Sequence, residues 1–212
     1  MSRLKPEEIE RQVRRAVEVL DFRQGTTLAI EGFGAEIQRF LRARLGDRSQ
    51  AEEAYLQFSE DLWIGLPAFR WEASLRVWLF VLARNAATRV GRVRRREVEL
   101  ECDQDYPDVR VQPRTATARF MVTKVKDRMR EIRQTLAEEE QTLLILRIDR
   151  GLEWRELAIV MNEVAGDATP EEQARASARL RTRFQAAKKR LRALAEAEGL
   201  LQPKSDAREP PT

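Results

Sequence analysis

Residues 66–96 read LPAFRWEASLRVWLFVLARNAATRVGRVRRR. A ring-bearing loop, Pro67 to Ala73, leads into a helix expected to start near Ser74 and run through Arg89. On that helix Leu75, Trp78, Leu79, Leu82 and Ala86 share one face, while Val77, Phe80 and Val81 occupy others. A helix apolar on most sides is buried on more than one side, so this segment reads as the middle of a helical bundle. Gly91 weakens the helix, and Arg92, Arg94, Arg95 and Arg96 close it. Rings and guanidinium groups therefore adjoin on one rigid platform. Bases stack on rings and phosphates pair with cations, which is the chemistry needed to hold an opened nucleic-acid strand.

Working towards the N-terminus, Ser49-Gln50-Ala51-Glu52 matches a capping box. The helix it opens carries Tyr55, Leu56, Phe58, Leu62 and Trp63 and stops near Gly65 and Pro67. Before it, Phe33, Ile37, Phe40, Leu41 and Leu45 form a helical stripe ending at Gly46, a C-cap residue. An extension over 1–27 holds a short amphipathic helix with Pro6 at its first position and Ile9, Val13, Val17 and Leu20 at helical spacing. Gln24-Gly25-Thr26-Thr27 then reads as a break. Residues 28–100 are thus one helical domain.

Towards the C-terminus, residues 101–117 carry two prolines and no sustained period, and read as a linker. Residues 118–200 form a second helical domain. Phe120, Val122, Val125 and Met129 lead one helix, and Thr135-Leu136-Ala137-Glu138 reads as the capping box of the next, which ends at Gly151. A short helix with Trp154, Leu157, Ala158 and Met161 follows. Thr169-Pro170-Glu171-Glu172 caps a last helix that reaches about Glu198. Residues 201–212 read as a disordered tail. No segment alternates at period two, so the fold class is all-α: two small helical domains joined by a linker.

Composition narrows the chemistry. The chain has 212 residues with no histidine and one cysteine, Cys102. That removes histidine triads, histidine zinc sites and internal disulfides. No catalytic, metal-binding or cofactor-binding constellation emerges, and the protein is not expected to be an enzyme. Net charge is only +4, so the placement of the cations matters more than their number. MSRLKPEEIE lacks the apolar core of a signal peptide, and no run approaches the ~18 apolar residues of a membrane span. A cytoplasmic protein without membrane insertion is the expectation.

Three constellations are candidates for binding. In the first, Phe69, Arg70, Trp71 and Trp78 lie close together, followed by Arg76, Arg84, Asn85 and Arg89. Trp63 and Trp78 at helical spacing read as core, whereas Trp71, in a polar loop, is open to either reading. The second is the run Arg89, Arg92, Arg94, Arg95 and Arg96, which suits phosphate contact or a solvated helix end. The third is the last helix. With Leu180, Phe184, Ala187, Leu191 and Leu194 inward, Arg175, Arg179, Thr182, Ala186 and Lys189 fall opposite. Arg181, Lys188 and Arg192 line one flank, and Arg183 and Arg190 the other. A helix with one apolar seam and cations elsewhere, following a short helix, suits a major groove.

These segments resemble a known family. Residues 34–96 look like conserved region 2 of a bacterial sigma-70-type factor of the extracytoplasmic-function group, most specifically from Gly65-Leu66-Pro67-Ala68-Phe69-Arg70 to Ala83-Arg84-Asn85. Residues 134–161 resemble region 4.1 and the first helix of region 4.2. ARLRTRFQAAKKRLR, residues 178–192, resembles the recognition segment. The resemblance implies a factor that binds core RNA polymerase, directs it to promoter DNA and helps open the duplex, with an anti-sigma protein as a further partner. Phe69, Arg70, Trp71 and Ser74 would hold a flipped base of the −10 element, with Arg76, Asn85, Arg89 and Arg92 facing the same DNA. Arg175, Arg179, Arg181, Thr182, Arg183, Gln185, Lys188 and Lys189 would face the −35 element. Glu52, Glu53, Gln57 and Asp61 would contact the polymerase clamp.

Two departures stand out. Leu56 and Gln57 take places where the family has Gln and Glu. The turn before the recognition helix is lengthened to Asn162–Ser177, which extends that helix backwards by about two turns. Two alternatives stay open: a stand-alone helix-turn-helix regulator using residues 134–195, and an interaction module that only docks on polymerase or another helical partner.

Overall fold

The computed structural model describes residues 5–101, with backbone only from 97, and residues 128–201. The expected linker, Cys102, the start of the second half and the tail lie outside the described residues. The described part is all-α. Helices α1 (Pro6–Glu18), α2 (Phe22–Leu45), α3 (Arg48–Gly65) and α4 (Leu75–Glu101) make the first half. The second half has a helical segment α5 (128–134), then α6 (Glu138–Leu144), α7 (Trp154–Val160) and α8 (Pro170–Ala197). A 3-10 turn at Leu66–Ala68 and a π turn at Ile145–Asp149 interrupt the regular elements.

The apolar stripes account for the packing. Phe40, Leu41 and Ile37 of α2 meet Phe58 and Leu62 of α3 and Leu75, Leu79 and Phe80 of α4, all almost fully buried. Phe40 and Phe80 meet edge to face at 5.5 Å, the favoured arrangement of two ring quadrupoles. Each such side chain contributes about 1.5–3 kcal/mol on leaving water. In the second half Leu143 to Leu146, Leu157, Val160, Leu180 and Phe184 close a smaller core. The two cores are continuous, because α2 and α4 pack against α6 and α7.

The structure corrects several boundaries. The break expected at Gln24–Thr27 is helical, and the chain turns earlier, at Val19–Asp21. Asp21 caps α2 by accepting from the Gln24 N–H at 2.9 Å. Gly25 serves close packing rather than a turn: a Cβ there would lie 3.1 Å from Leu66 Cδ2. Helix α3 starts at Arg48, because Asp47 accepts from the Gln50 N–H at 2.8 Å and takes the cap expected from Ser49. Glu52 is left to pair with Arg48 at 2.7 Å. Helix α4 passes Gly91 and reaches Glu101. Helix α6 begins at Glu138, with Glu140 accepting from the Ala137 N–H, so Thr135 is not its cap. The expectation at Thr169 holds: its hydroxyl accepts from the Glu172 N–H, and Glu172 accepts from the Thr169 N–H at 2.9 Å.

Charged groups tie the halves together. Arg44, buried at 7 % exposure, donates to Thr142 Oγ1 and Glu138 Oε2, both at 2.8 Å. Arg95 also pairs with Glu138. Arg76 bonds Glu36 at 2.6 Å and the Arg150 carbonyl at 2.8 Å. Gly166 sits so close to Glu72 that an added Cβ would lie 2.9 Å from the Glu72 Cβ.

Candidate nucleic-acid interface

The loop after α3 is short because Pro67 ends the regular helix and the 3-10 turn carries the chain to Phe69. The Phe69 ring stacks on Trp78 at 4.4 Å and 13°, and meets Trp71 at 4.6 Å. All three are half-buried. Trp78 is therefore neither core nor free surface. It forms the floor of an aromatic cluster whose other two members come from the loop. Trp71 has a φ of 60°, a left-handed conformation that costs a large side chain about 1–3 kcal/mol. Such strain persists only where neighbours impose it, and it clusters at binding sites. Trp63, expected in the core, is half exposed on α3.

Two neighbours of the loop were not expected from the sequence, and both come from α1. Arg14 lies over the Trp71 ring at 4.5 Å. Glu10 Oε2 accepts from the Leu75 N–H at 2.9 Å, which satisfies a donor at the start of α4. Glu10 and Arg14 are one helical turn apart, so the signal was present in the spacing but not its target. A cavity of about 410 Å³ opens beside the rings. Phe69, Trp78, Val81 and Leu82 form one wall, and Ile159, Asn162 and Val164 of the second half form another. In this arrangement the connection from α7 to α8 partly roofs the loop.

The other residues expected at the −10 element divide. Arg70 is exposed and paired with Glu72 at 3.1 Å, and Ser74 is exposed, receiving the Val77 N–H at 3.3 Å. Asn85, Arg89 and Arg92 are exposed, with Arg89 paired to Asp61. Arg76 is turned inward. Burial disfavours its charge, yet the bond and the charge of Glu36 outweigh that and hold its pKa above the ordinary value.

Helix α8 sorts its cations by face. Arg175, Thr182, Gln185 and Lys189 form an exposed outward stripe, opposite the buried Ala176, Leu180, Phe184 and Ala187. On one flank Arg179 and Arg183 pair with Glu163, at 3.2 and 2.6 Å. Arg183 and Arg190 also reach Glu139 and Glu140. On the other flank Arg181 lies over Trp154 at 5.5 Å and Lys188 over Phe184 at 5.8 Å. At exposed sites such cation–ring contacts contribute about 0.5–1 kcal/mol each. The stripe thus presents cations and hydrogen-bonding groups on a rigid rod, the arrangement that reads base edges from a major groove.

On α3 the four residues expected at the polymerase take different situations. Glu52 pairs with Arg48, Glu53 is exposed, Gln57 bonds Glu60 at 3.2 Å, and Asp61 pairs with Arg89. Beside them stand three exposed apolar side chains: Leu56 at 67 %, Trp63 at 51 % and Ile64 at 75 %. They lie opposite Ala51, Ala54, Phe58 and Leu62, the buried stripe of the same helix. Three large apolar side chains are thus left on the exposed face of one helix. The seven-residue spacing of Leu56 and Trp63 places both on that face.

The chain is similar in structure to the sigma factor RpoE of Bartonella quintana, solved in complex with the anti-sigma factor NepR. The TM-score is 0.55 at 19 % sequence identity, over 84 % of this chain and 98 % of that one. That likeness shows the all-α fold. No protein-family model matches the chain. A comparison with curated proteins finds no match either. Among the described residues no helix is long and apolar enough to cross a membrane, and no group of acidic or thiol side chains is placed to hold a metal ion.

Proposed function

We propose that the protein is a bacterial sigma factor of the extracytoplasmic-function group. It acts in the cytoplasm, binds core RNA polymerase, recognises promoter −10 and −35 elements and assists opening of the duplex. It performs no catalysis of its own and needs no cofactor. The observation that carries the reading is the pairing, on one fold, of the Phe69–Trp71–Trp78 cluster with the outward stripe of α8. A duplex reader alone needs only the stripe, and a strand holder alone only the rings. The structural likeness to RpoE supports the assignment.

Roles follow from the chemistry. Phe69 and Trp71 would stack an extruded base, with Arg70, Asn85, Arg89 and Arg92 along the strand. Arg175, Thr182, Gln185 and Lys189 would enter the −35 groove. Leu56, Trp63 and Ile64, rimmed by Glu52, Glu53, Gln57 and Asp61, would dock on the polymerase. RpoE was solved in complex with an anti-sigma factor, and by analogy a protein of that kind would bind this chain. The connection from α7 to α8 partly roofs the loop, so a base would enter through the cavity beside Phe69 and Trp78. The test is reconstituted transcription with purified core polymerase. Initiation at chromosomal promoters, lost in a Phe69→Ala/Trp71→Ala double variant, is expected. Failure to initiate anywhere, with DNA binding intact in residues 134–195 alone, assigns the protein instead to stand-alone regulators.

A further inference from the structure

Five arginines line one cavity of about 510 Å³ between the two halves. Arg39 and Arg42 belong to α2 and Arg48 opens α3, while Arg130 belongs to α5 and Arg150 follows the π turn. The carboxylate on its wall, Asp47, is engaged as the cap of α3. Arg48 is offset by Glu52, and Arg39 Nε donates to the Ala35 carbonyl of its own helix at 3.0 Å. Arg42 is exposed on the cavity wall and makes no ion pair among the described residues. Arg150 Nε is buried and has no hydrogen-bond partner among the described residues. A buried donor left unpaired costs about 1–3 kcal/mol.

Like charges gathered around one concavity repel, and neither half needs this gathering for its core. It arises only where the halves meet. The N-terminus of α3, an 18-residue helix, adds the positive end of its dipole at the same place. We propose that this cavity binds a small anion carrying several phosphate groups. Guanidinium forks match phosphate oxygens two at a time, and those of Arg39, Arg42, Arg48 and Arg150 alone exceed what one phosphate can use. The volume lies within the range of small-molecule sites. The walls come from both halves, so the bound anion would clamp α2 and α3 to α5 and Arg150. This site is independent of the promoter reading.

The test uses the full chain at low ionic strength, with calorimetric titration and thermal unfolding in inorganic tripolyphosphate, ATP and orthophosphate. Tripolyphosphate is expected to bind, to raise the melting temperature, and to exceed orthophosphate in affinity by roughly tenfold or more. Equal binding of ATP points to the phosphate chain as the recognised part, and tighter binding of ATP to a nucleotide; both uphold the site. Arg42→Gln and Arg150→Gln should each weaken binding by roughly tenfold. Arg48→Gln, at a highly exposed side chain, supplies a second variant should Arg150→Gln unfold. Arg23→Gln, which removes the same charge elsewhere, should leave it unchanged. Absence of tripolyphosphate binding at millimolar concentration overturns the proposal. So does an equal loss in Arg23→Gln, or retention in an Arg42→Gln/Arg48→Gln double variant. Competition in which a short single-stranded DNA displaces tripolyphosphate, and loses affinity in the same variants, gives the cavity to a nucleic-acid backbone and also overturns it.

Discussion

Arg44 and Glu138, 94 residues apart in sequence, form a 2.8 Å ion pair that joins the middle of the first half to the start of α6. Burial pulls the Arg44 guanidinium below its ordinary pKa, against Glu138, which raises it. The charge is retained because Thr142 Oγ1 and Glu138 together satisfy it.

Arg44→Ala should therefore destabilise the protein by about 2 kcal/mol. The cost stays below that of a fully buried pair because Glu138, at 32 % side-chain exposure, can rehydrate. Arg44→Met keeps the apolar stem and should fall within about 1 kcal/mol of the parent. Urea unfolding at neutral pH measures both. An Arg44→Ala variant as stable as the parent would remove the pair from the account of how the halves hold together.

Phe69→Ala and Trp71→Ala should leave polymerase binding intact and lower promoter opening by roughly tenfold or more each, as expected for loss of a stacking ring. Reactivity of unpaired thymines to permanganate reads the opening directly. Equal opening in parent and variants would make the cluster purely structural.

On α8, Lys189→Ala should weaken DNA binding uniformly across sequences and reduce the slope of log affinity against log salt by about 1. Gln185→Ala should instead change the sequence preference, by about 1–3 kcal/mol at one base pair. Salt-titrated binding to a randomised −35 library separates the two. A Lys189→Ala variant with an unchanged salt slope would place that side chain away from phosphate.

The cap of α8 carries a pH dependence. Glu172 has a lowered pKa because the Thr169 backbone N–H and then its hydroxyl bond the carboxylate. A carboxylate depressed in the folded state contributes stability above its unfolded value, about 4.3, and that contribution is lost as pH falls through the folded value. Amide exchange in the first turn of α8 should therefore accelerate in acid, and Glu172→Gln should flatten that response. Thr169→Ala should cost about 1 kcal/mol at neutral pH.

Gly166→Ala should loosen the roof over the loop, since its Cβ would approach Glu72 at 2.9 Å. Faster amide exchange over 69–75 with an unchanged core is the expected result. Unchanged exchange would mean that the connection from α7 to α8 shifts without uncovering the loop.

Much of this architecture was legible before folding. The stripe of α8, the cap at Thr169 and the C-cap at Gly46 depend on residues within one or two turns of each other, and the structure keeps all three. Capping at Ser49 failed because Asp47, two residues earlier, accepts from the Gln50 N–H and draws Ser49 into the first turn; capping at Thr135 failed because the helix starts only at Glu138, with Glu140 accepting from the Ala137 N–H. Gly25 was misread because a glycine that opens a turn and one that admits a neighbour are the same letter; only Leu66 distinguishes them. Trp63 and Trp78 both read as core, yet one reaches solvent and the other floors the ring cluster, since hydrophobicity does not say which side of a helix is covered.

By itself the sequence determined the helices, their apolar faces and the adjacency of rings and cations, because these follow from periodicity along a single rod. Tertiary structure alone decided which cations were spent internally. Arg76 is taken by Glu36 and Arg183 by Glu163, while Arg175 and Lys189 remain on the surface. The physical reason is that a charge is neutralised by whatever lies within a few ångströms in space: Arg44 finds Glu138 in the other half of the chain, and Arg76 finds Glu36 on a different helix.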